Sequence, residues 1–520
     1  MGFLSLSTIQ ALFFYTFGLF FLLSIVLFLK RKNSLSLFLL FLGSLMLGFF
    51  MGMLDHYINY WDEQYHMLVA KNMMDHPFIP MLNKNTVLQY SYENWVGNHI
   101  WLHKQPLFLW QMALSMKIFG VSPLAGRIPS ILMYSLMVPM IYRMGKNMTG
   151  SSRIGYYSAF FFAVSNYILD LVSGYRGTEH NDMAFLFYTT ASMWAWTEYT
   201  LKQTWKWSML IGLFAGAAVL NKWLPGLMVF GGWGLAILFN KTDRMKLKSY
   251  LHILFAFLVS IVVFLPWQIY TFIKFPNEAR FEYDFNLLHF KEPIENHGGN
   301  WEYYFNNLGA LYGKGDAIPW ILLIGFLLLL KYIRNNRYRV FALTSVIGVY
   351  GFYTFAATKM LSFPIIVSVF AFLSFALVLD KLQSVFEKIS SRQQIIGIIT
   401  SLILCVFGWL SFNFKSITEC HLLNKDYKAY KDKELLFYDY LMQQQPDTAY
   451  TFFNMPYMSE VPFMFHNGVH AAYAYFPNQD QYVGLKKNKV KFVIVDNNQN
   501  NIPSYIQEDS SAQIIKNPFR

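Results

Sequence analysis

Charge, cysteine and nucleotide-binding motifs are what this chain of 520 residues has least of. Charged residues make up 14% of it against 55% hydrophobic ones, a balance too apolar for a solvated globular surface, which excludes an ordinary soluble protein. The two cysteines, Cys405 within an apolar run and Cys420 just after it, support neither a disulfide framework nor a cysteine-based metal site. No HExxH, CxxC pair, P-loop, GxSxG or dinucleotide fingerprint stands in a supporting context, so nucleotide-driven and hydrolytic chemistry have no motif behind them. There is no internal repeat and no low-complexity tract. The net charge of +12 points to nucleic acid only superficially: Lys and Arg gather in short loops between apolar runs, and no basic stripe with interleaved aromatics marks a soluble domain. Nucleic acid is not an expected partner.

Long apolar runs are what the chain does have, and its mean hydropathy is +0.30. Residues 9–29 are long enough to cross about 30 Å of hydrocarbon at about 1.5 Å per residue. Their positive residues, Lys30, Arg31 and Lys32, follow the apolar run instead of preceding it, unlike a secretory signal. The expected N-terminus is outside. Further spans are expected near 35–54, 123–142, 154–171, 183–201, 207–220, 224–239, 250–272, 317–331, 339–357, 361–379 and 394–413, about twelve in all. With that orientation the inside loops are 30–32, 143–153, 202–206, 241–248, 331–339 and 381–392, each with at least two basic residues, as the positive-inside rule asks. The expected architecture is a polytopic α-helical membrane domain over 1–413, with long outside loops at 55–122 and 273–316. A small extracytoplasmic α/β domain is expected over 414–520, where KDYKAYKDKELLFYDYLMQQQ reads as a polar helix and TAYTFF, HAAYAY and VKFVIVD as strands.

Ionisable residues with possible chemistry fall in the outside loops. Asp62 and Glu63 open an amphipathic segment, and carboxylates in a first helical turn are favoured by the macrodipole whatever the function. Asp182 stands where it would N-cap the following span, yet GYRGTEHND packs Arg176, Glu179, His180 and Asp182 into one short outside connection, more than a connector needs. Lys104, beside His103, precedes Pro106 and LFLWQMALSMKIF, which is too short to span and reads as an interfacial helix, as does 67–74. A lysine there either snorkels or neutralises a lipid-linked phosphate. His297 is isolated in sequence, as a structural histidine would be.

The order of these pieces resembles the bacterial membrane glycosyltransferases of the aminoarabinose transferase and protein O-mannosyltransferase type, with the GT-C architecture. The likeness runs through WDEQYHMLVAKNMMDHPFIPMLN, HKQPLFLWQMALSMKIFGVSPLAGRIPSILM, LNKWLPGLMVF, NHGGNWEYYFNNLGALYGKGDAIPW and, more weakly, ATKMLSFPII, over roughly residues 35–380. It implies transfer of a sugar from a polyprenyl-phosphate donor to a cell-envelope acceptor, inverting, on the extracytoplasmic side of the cytoplasmic (inner) membrane. Residue by residue it implies Asp62 as general base with Glu63 beside it, Asp182 as a second functional carboxylate, and Lys104, Arg176 and Lys359 facing the donor phosphate. His103, His180 and His297 would line the site, and a divalent metal ion is a candidate cofactor with unassigned ligands. Relatives often have Glu at the position of His103, a basic residue at Tyr65 and a second Pro at Gln105, so donor identity and metal use are open here. The competing classes are a transporter or flippase for a lipid-linked sugar, which would show polar rows within several spans, and a scaffold whose working part is the C-terminal domain.

Overall fold

The computed structural model describes residues 6–175, 179–313, 315–389, 393–412, 417–422, 424–497 and 502–519. All twelve segments expected to span are helical. In chain order the helices are α1 (Thr8–Leu29), α2 (Asn33–Gly52), α3 (Asp62–Met73), α4 (Leu107–Phe119), α5 (Pro123–Thr149), α6 (Ser152–Ala163), α7 (Asn166–Val172), α8 (Glu179–Leu201), α9 (Trp205–Lys222), α10 (Met228–Leu238), α11 (Leu247–Lys274) and α12 (Pro276–Lys291). Two short helices, α13 (Tyr303–Asn306) and α14 (Leu308–Tyr312), precede α15 (Ile318–Tyr332), α16 (Asn336–Phe355), α17 (Ser368–Ile389) and α18 (Gln393–Phe412). Among the described residues five helices are long and apolar enough to cross a bilayer, Thr8–Leu29, Asn33–Gly52, Pro123–Thr149, Leu247–Lys274 and Phe363–Lys388. This is a multi-pass membrane protein. The run expected at 154–171 is broken, α6 ending at Ala163 and α7 starting at Asn166, with Ser165 at the new helix start.

The chain forms two compact units, one of residues 1–54 and 128–417, the other of 55–127 and 418–520. In the helical unit, α1 and α2 pair as a hairpin, held inside by Ser24 and Ser36, each hydroxyl donating to the other's backbone carbonyl at 2.7 and 2.8 Å. A polar pair of this kind satisfies groups that lipid cannot. Helices α9 and α11 approach closely because α9 carries Gly212 and Gly216: a Cβ at Gly212 would lie 2.3 Å from the Ala256 carbonyl oxygen, and one at Gly216 would lie 2.7 Å from that of Ser260. That packing fixes the far end of α9, where Lys222 stands.

In the other unit, four parallel strands form a sheet in the order β2-β1-β3-β4, with β1 at Thr451–Phe453, β2 at Ala471–Ala472, β3 at Phe492–Asp496 and β4 at Ile514–Lys516. The first three lie in the runs expected from sequence, and the polar helix is Lys425–Gln444. Phe453, Tyr473, Tyr482, Phe492 and Ile494 make the apolar core of the sheet, and Leu88, from the long loop after α3, is buried with them. Lys71 of α3 extends the same join: its ammonium donates to the Phe465 carbonyl at 2.5 Å, satisfying an end carbonyl of the helix Glu460–Asn467.

Candidate active site

Asp62 heads α3, and the residue before it is strained: Trp61 has φ 65° and ψ −129°, a region that side chains avoid. The two adjacent carboxylates have separate situations. Glu63 is 0% exposed, and Arg127 grips it through Nε to Oε1 at 2.7 Å and a terminal nitrogen to Oε2 at 2.9 Å. Asn59 adds its backbone N–H at 2.6 Å and its side-chain amide at 3.0 Å, both to Oε2. Arg127 also donates to the carbonyls of Asp55, at 2.6 Å, and Tyr57, at 2.9 Å. Breaking a buried pair of this kind costs about 3–5 kcal/mol. Glu63 thus ties the start of α3 to the chain that enters it, while Asp62, half-buried, stays at the helix head.

Further along the same unit, Lys104 is half-buried and, among the described residues, its ammonium makes no hydrogen bond or ion pair. A cation so placed is available to an anion. His103 beside it stacks on Trp95, ring centroids 4.6 Å apart and planes 8° from parallel. Helix α4 leaves Leu114, Ile118 and Phe119 exposed on one side, the apolar face that an interfacial helix needs. Gln64, fully buried after Glu63, has neither amide atom hydrogen-bonded among the described residues.

The helical unit holds the remaining candidates. Helix α8 begins at Glu179, earlier than the expected 183, so Glu179, His180 and Asp182 belong to its first turn and not to a loop. Asp182 is therefore no N-cap. Two carboxylates in a first turn suit the positive end of the helix dipole. Asp182 is 1% exposed and forms an ion pair with Lys222 at the end of α9. The Lys222 ammonium also lies over the Phe363 ring, 5.1 Å from its centroid. Immediately after Lys222 the backbone is strained again, Trp223 having φ 66° and ψ −164°. Asn181 and Asn221, the neighbours of the pair in sequence, are buried with Oδ1 atoms that no donor among the described residues meets. Buried acceptors without donors cost about 1–3 kcal/mol each, and proteins keep them where a ligand or water uses them.

His180 is buried and its Nδ1 lies 2.8 Å from Ser130 Oγ. His297 is exposed; its carbonyl accepts from the Lys359 backbone at 2.8 Å. The Lys359 ammonium donates to the carbonyls of Thr354, at 2.8 Å, and Ala356, at 2.7 Å, capping the end of α16. Arg176 lies outside the described residues. The structure thus gathers Asp62, Glu63, His103 and Lys104 in one unit and His180, Asp182, His297 and Lys359 in the other. Sequence reasoning missed Arg127 and Lys222, although both stand in quoted stretches, AGRIP and LNKWLP. A lone basic residue at a span's end was the available signal.

Among the described residues no three His, Cys, Asp or Glu side chains form a metal-ligating group.

Residues 103–270 match the family model described as dolichyl-phosphate-mannose-protein mannosyltransferase. The sequence matches no curated protein. Among solved structures, ArnT from Cupriavidus metallidurans bound to undecaprenyl phosphate is similar with a TM-score of 0.61 at 12% identity, over 88% of this chain and 89% of that one. Its apo state gives 0.60 at 10% identity, over 87% and 88%. The Archaeoglobus fulgidus oligosaccharyltransferase complexed with Zn and sulfate gives 0.52 at 12% identity, over 84% of this chain and 62% of that one.

Proposed function

From the GT-C glycosyltransferase fold that this chain carries, we propose that it transfers a sugar from a polyprenyl-phosphate donor to a hydroxyl of a cell-envelope acceptor, on the extracytoplasmic side of the cytoplasmic membrane. The observation that carries the reading is the division of labour between Asp62 and Glu63. Glu63 is locked by Arg127, which fixes the head of α3 and leaves the Asp62 carboxylate held in place for chemistry. The undecaprenyl phosphate bound to the ArnT relative supports the class of donor.

In this reading the acceptor oxygen attacks the anomeric carbon from the face opposite the lipid phosphate. The new C–O bond forms as the bond to the phosphate oxygen breaks. Its electron pair leaves with the phosphate, the acceptor's proton goes to Asp62, and the configuration inverts. A lipid-linked sugar carries its own leaving group, so no nucleotide is needed outside the cell. Lys104, whose ammonium makes no hydrogen bond or ion pair among the described residues, neutralises the charge growing on the departing phosphate. In the helical unit, Asp182 orients Lys222, whose positive charge suits an anionic donor.

The test is transfer in nanodiscs, with a panel of radiolabelled polyprenyl-phosphate sugars and envelope acceptors offered to wild type and Asp62→Asn. Removal of a general base costs about 10²–10⁴-fold, so the variant should fold and bind donor yet lose transfer. Normal turnover by Asp62→Asn would remove Asp62 from the base role. Lipid crossing the bilayer without any transfer by wild type would replace the whole reading with a flippase.

A further inference from the structure

The run of chain that leads into Asp62 is held from two sides, and only one of them enters that mechanism. Arg127 and Glu63 hold it through the carbonyls of Asp55 and Tyr57 and the amide of Asn59. On the other side it meets the C-terminal part of the same unit. Asp55 Oδ2 lies 2.7 Å from Nδ1 of His421, both side chains buried. The Tyr57 ring lies edge-on to Tyr427 of the helix Lys425–Gln444, with centroids 5.6 Å apart. One turn further along that helix, the Lys431 ammonium stands over the Tyr60 ring, 3.7 Å from its centroid. Glu434 Oε2 accepts from the same ammonium at 2.9 Å, and Lys431 and Glu434 are both buried. A cation fixed over an aromatic face away from water holds it more strongly than an exposed one.

Trp61 is what needs such an anchor. Its φ of 65° is strained for any residue with a side chain, and strain of this kind persists only where the surroundings over-determine it. The Trp61 side chain supplies little of that constraint, being 57% exposed. The constraint comes instead from its neighbours: Tyr60 just before it, gripped by Lys431, and Glu63 two residues after it, gripped by Arg127. Asp62 lies between the two anchors. With Tyr60 released, the backbone at Trp61 relaxes and turns the Asp62 carboxylate away, while Arg127 keeps the rest of α3 in place. Catalysis is steeply sensitive to such misplacement. We infer that Lys431 is a positioning residue: by gripping Tyr60 it makes the helix Lys425–Gln444 one of two anchors that set the Asp62 carboxylate, a role that rests on the transfer reading, in which Asp62 is the base.

The test is transfer by the full chain in nanodiscs, with kcat expressed per donor site counted by calorimetric titration with undecaprenyl phosphate, so that unfolded protein does not enter. Tyr60→Leu removes the ring face at a half-buried position, and Lys431→Met removes the cation. Each should lower kcat about tenfold, with donor KM and the Kd for undecaprenyl phosphate within about twofold of wild type. Both act through one contact, so the double variant should be no slower than the slower single one. Tyr60→Phe keeps the ring face and Lys431→Arg keeps the charge, and each should recover most of the loss. Should Lys431→Met fail to fold with Glu434 left unpaired, Tyr60→Leu and its rescue by Tyr60→Phe decide the matter. Unchanged kcat per site in Tyr60→Leu, equal losses in Tyr60→Leu and Tyr60→Phe, losses that multiply in the double variant, or a parallel rise in donor KM would each overturn the inference. Hydrogen exchange supplies a readout that needs no sugar: the amides of residues 59–63 should exchange faster in Tyr60→Leu than in wild type. No transfer by wild type, with that difference present, would refute the transfer reading and leave the grip on Tyr60 standing. Equal exchange would overturn the grip itself.

Discussion

Where α8 ends, Arg143 grips Glu198 through two hydrogen bonds of 2.7 Å each, Arg153 holds Asp380 at 2.6 Å and Glu387 at 2.8 Å, and Arg337 pairs with Asp243. Where α8 begins, the cations among the described residues are lysines: Lys222 faces Asp182 beside two asparagines whose acceptors no described donor meets, and Lys359 caps a helix. The contrast separates two uses of charge. A planar guanidinium matched to carboxylates with two or more bonds fixes helix ends and has little left to offer a ligand. An ammonium meets its carboxylate at one point and keeps N–H groups that can turn to a phosphate. The arginine end reads as scaffold and the lysine end as site.

The sharpest way to break this contrast is to remove one cation from each end. Lys222→Met should lower kcat/KM for the lipid-phosphate donor about 100-fold, the worth of a charged hydrogen bond to phosphate at about 3 kcal/mol. Its thermal midpoint should fall as well, because the buried Asp182 carboxylate loses its cation, so kcat/KM is read on the enzyme that remains folded. If the midpoint collapsed while the surviving enzyme kept its kcat/KM, Lys222 would be one more scaffold residue. Arg153→Ala is the mirror case. It removes bonds to Asp380, to Glu387 and, at 3.1 Å, to Ser384. Glu387 is exposed, but Asp380 is buried and would be left without its cation, so the expected loss is about 1–3 kcal/mol of stability, with donor kinetics unchanged. Loss of donor affinity at constant stability would show that the arginine end is not scaffold alone.

The same contrast shows what can be read in a sequence. Helix positions were legible because apolar runs near 20 residues have few alternatives in a bilayer. The break after Ala163 was not, since Val164 and Ser165 differ little in character from their neighbours. The early start of α8 was hidden because Glu179, His180 and Asp182 look like loop residues, whereas a first helical turn welcomes acids. The strand Ile514–Lys516 is only three residues long, and nothing in its spacing announces parallel pairing with Phe492–Asp496. Asp62 and Glu63 could be singled out as a pair. Only the fold brings Arg127, 64 positions away in sequence, onto one of them and so divides their roles. Lys222 and Asp182 were likewise 40 positions apart. Partnerships across the chain depend on helix packing, as at Gly212 and Gly216, and no local pattern carries them.

Lys359 tests the contrast most finely, because it is a lysine at the site end that behaves like the scaffold arginines. The resemblance to membrane glycosyltransferases assigns it to the donor phosphate, yet its ammonium is engaged by the carbonyls of Thr354 and Ala356, where it satisfies the end of α16. Lysine has three N–H groups, so two carbonyls leave one for a ligand. A cation at a helix C-terminus contributes about 0.3–1 kcal/mol through the dipole. Lys359→Met should therefore lower the thermal midpoint slightly and leave the donor KM within about twofold of wild type, if capping is its whole role. A tenfold rise in donor KM, with the same small change in stability, would mean that the third N–H reaches phosphate. Lys359 would then join Lys222 as a cation that serves both the fold and the donor. The division between scaffold and site would then lie within one side chain and not between the ends of the helices.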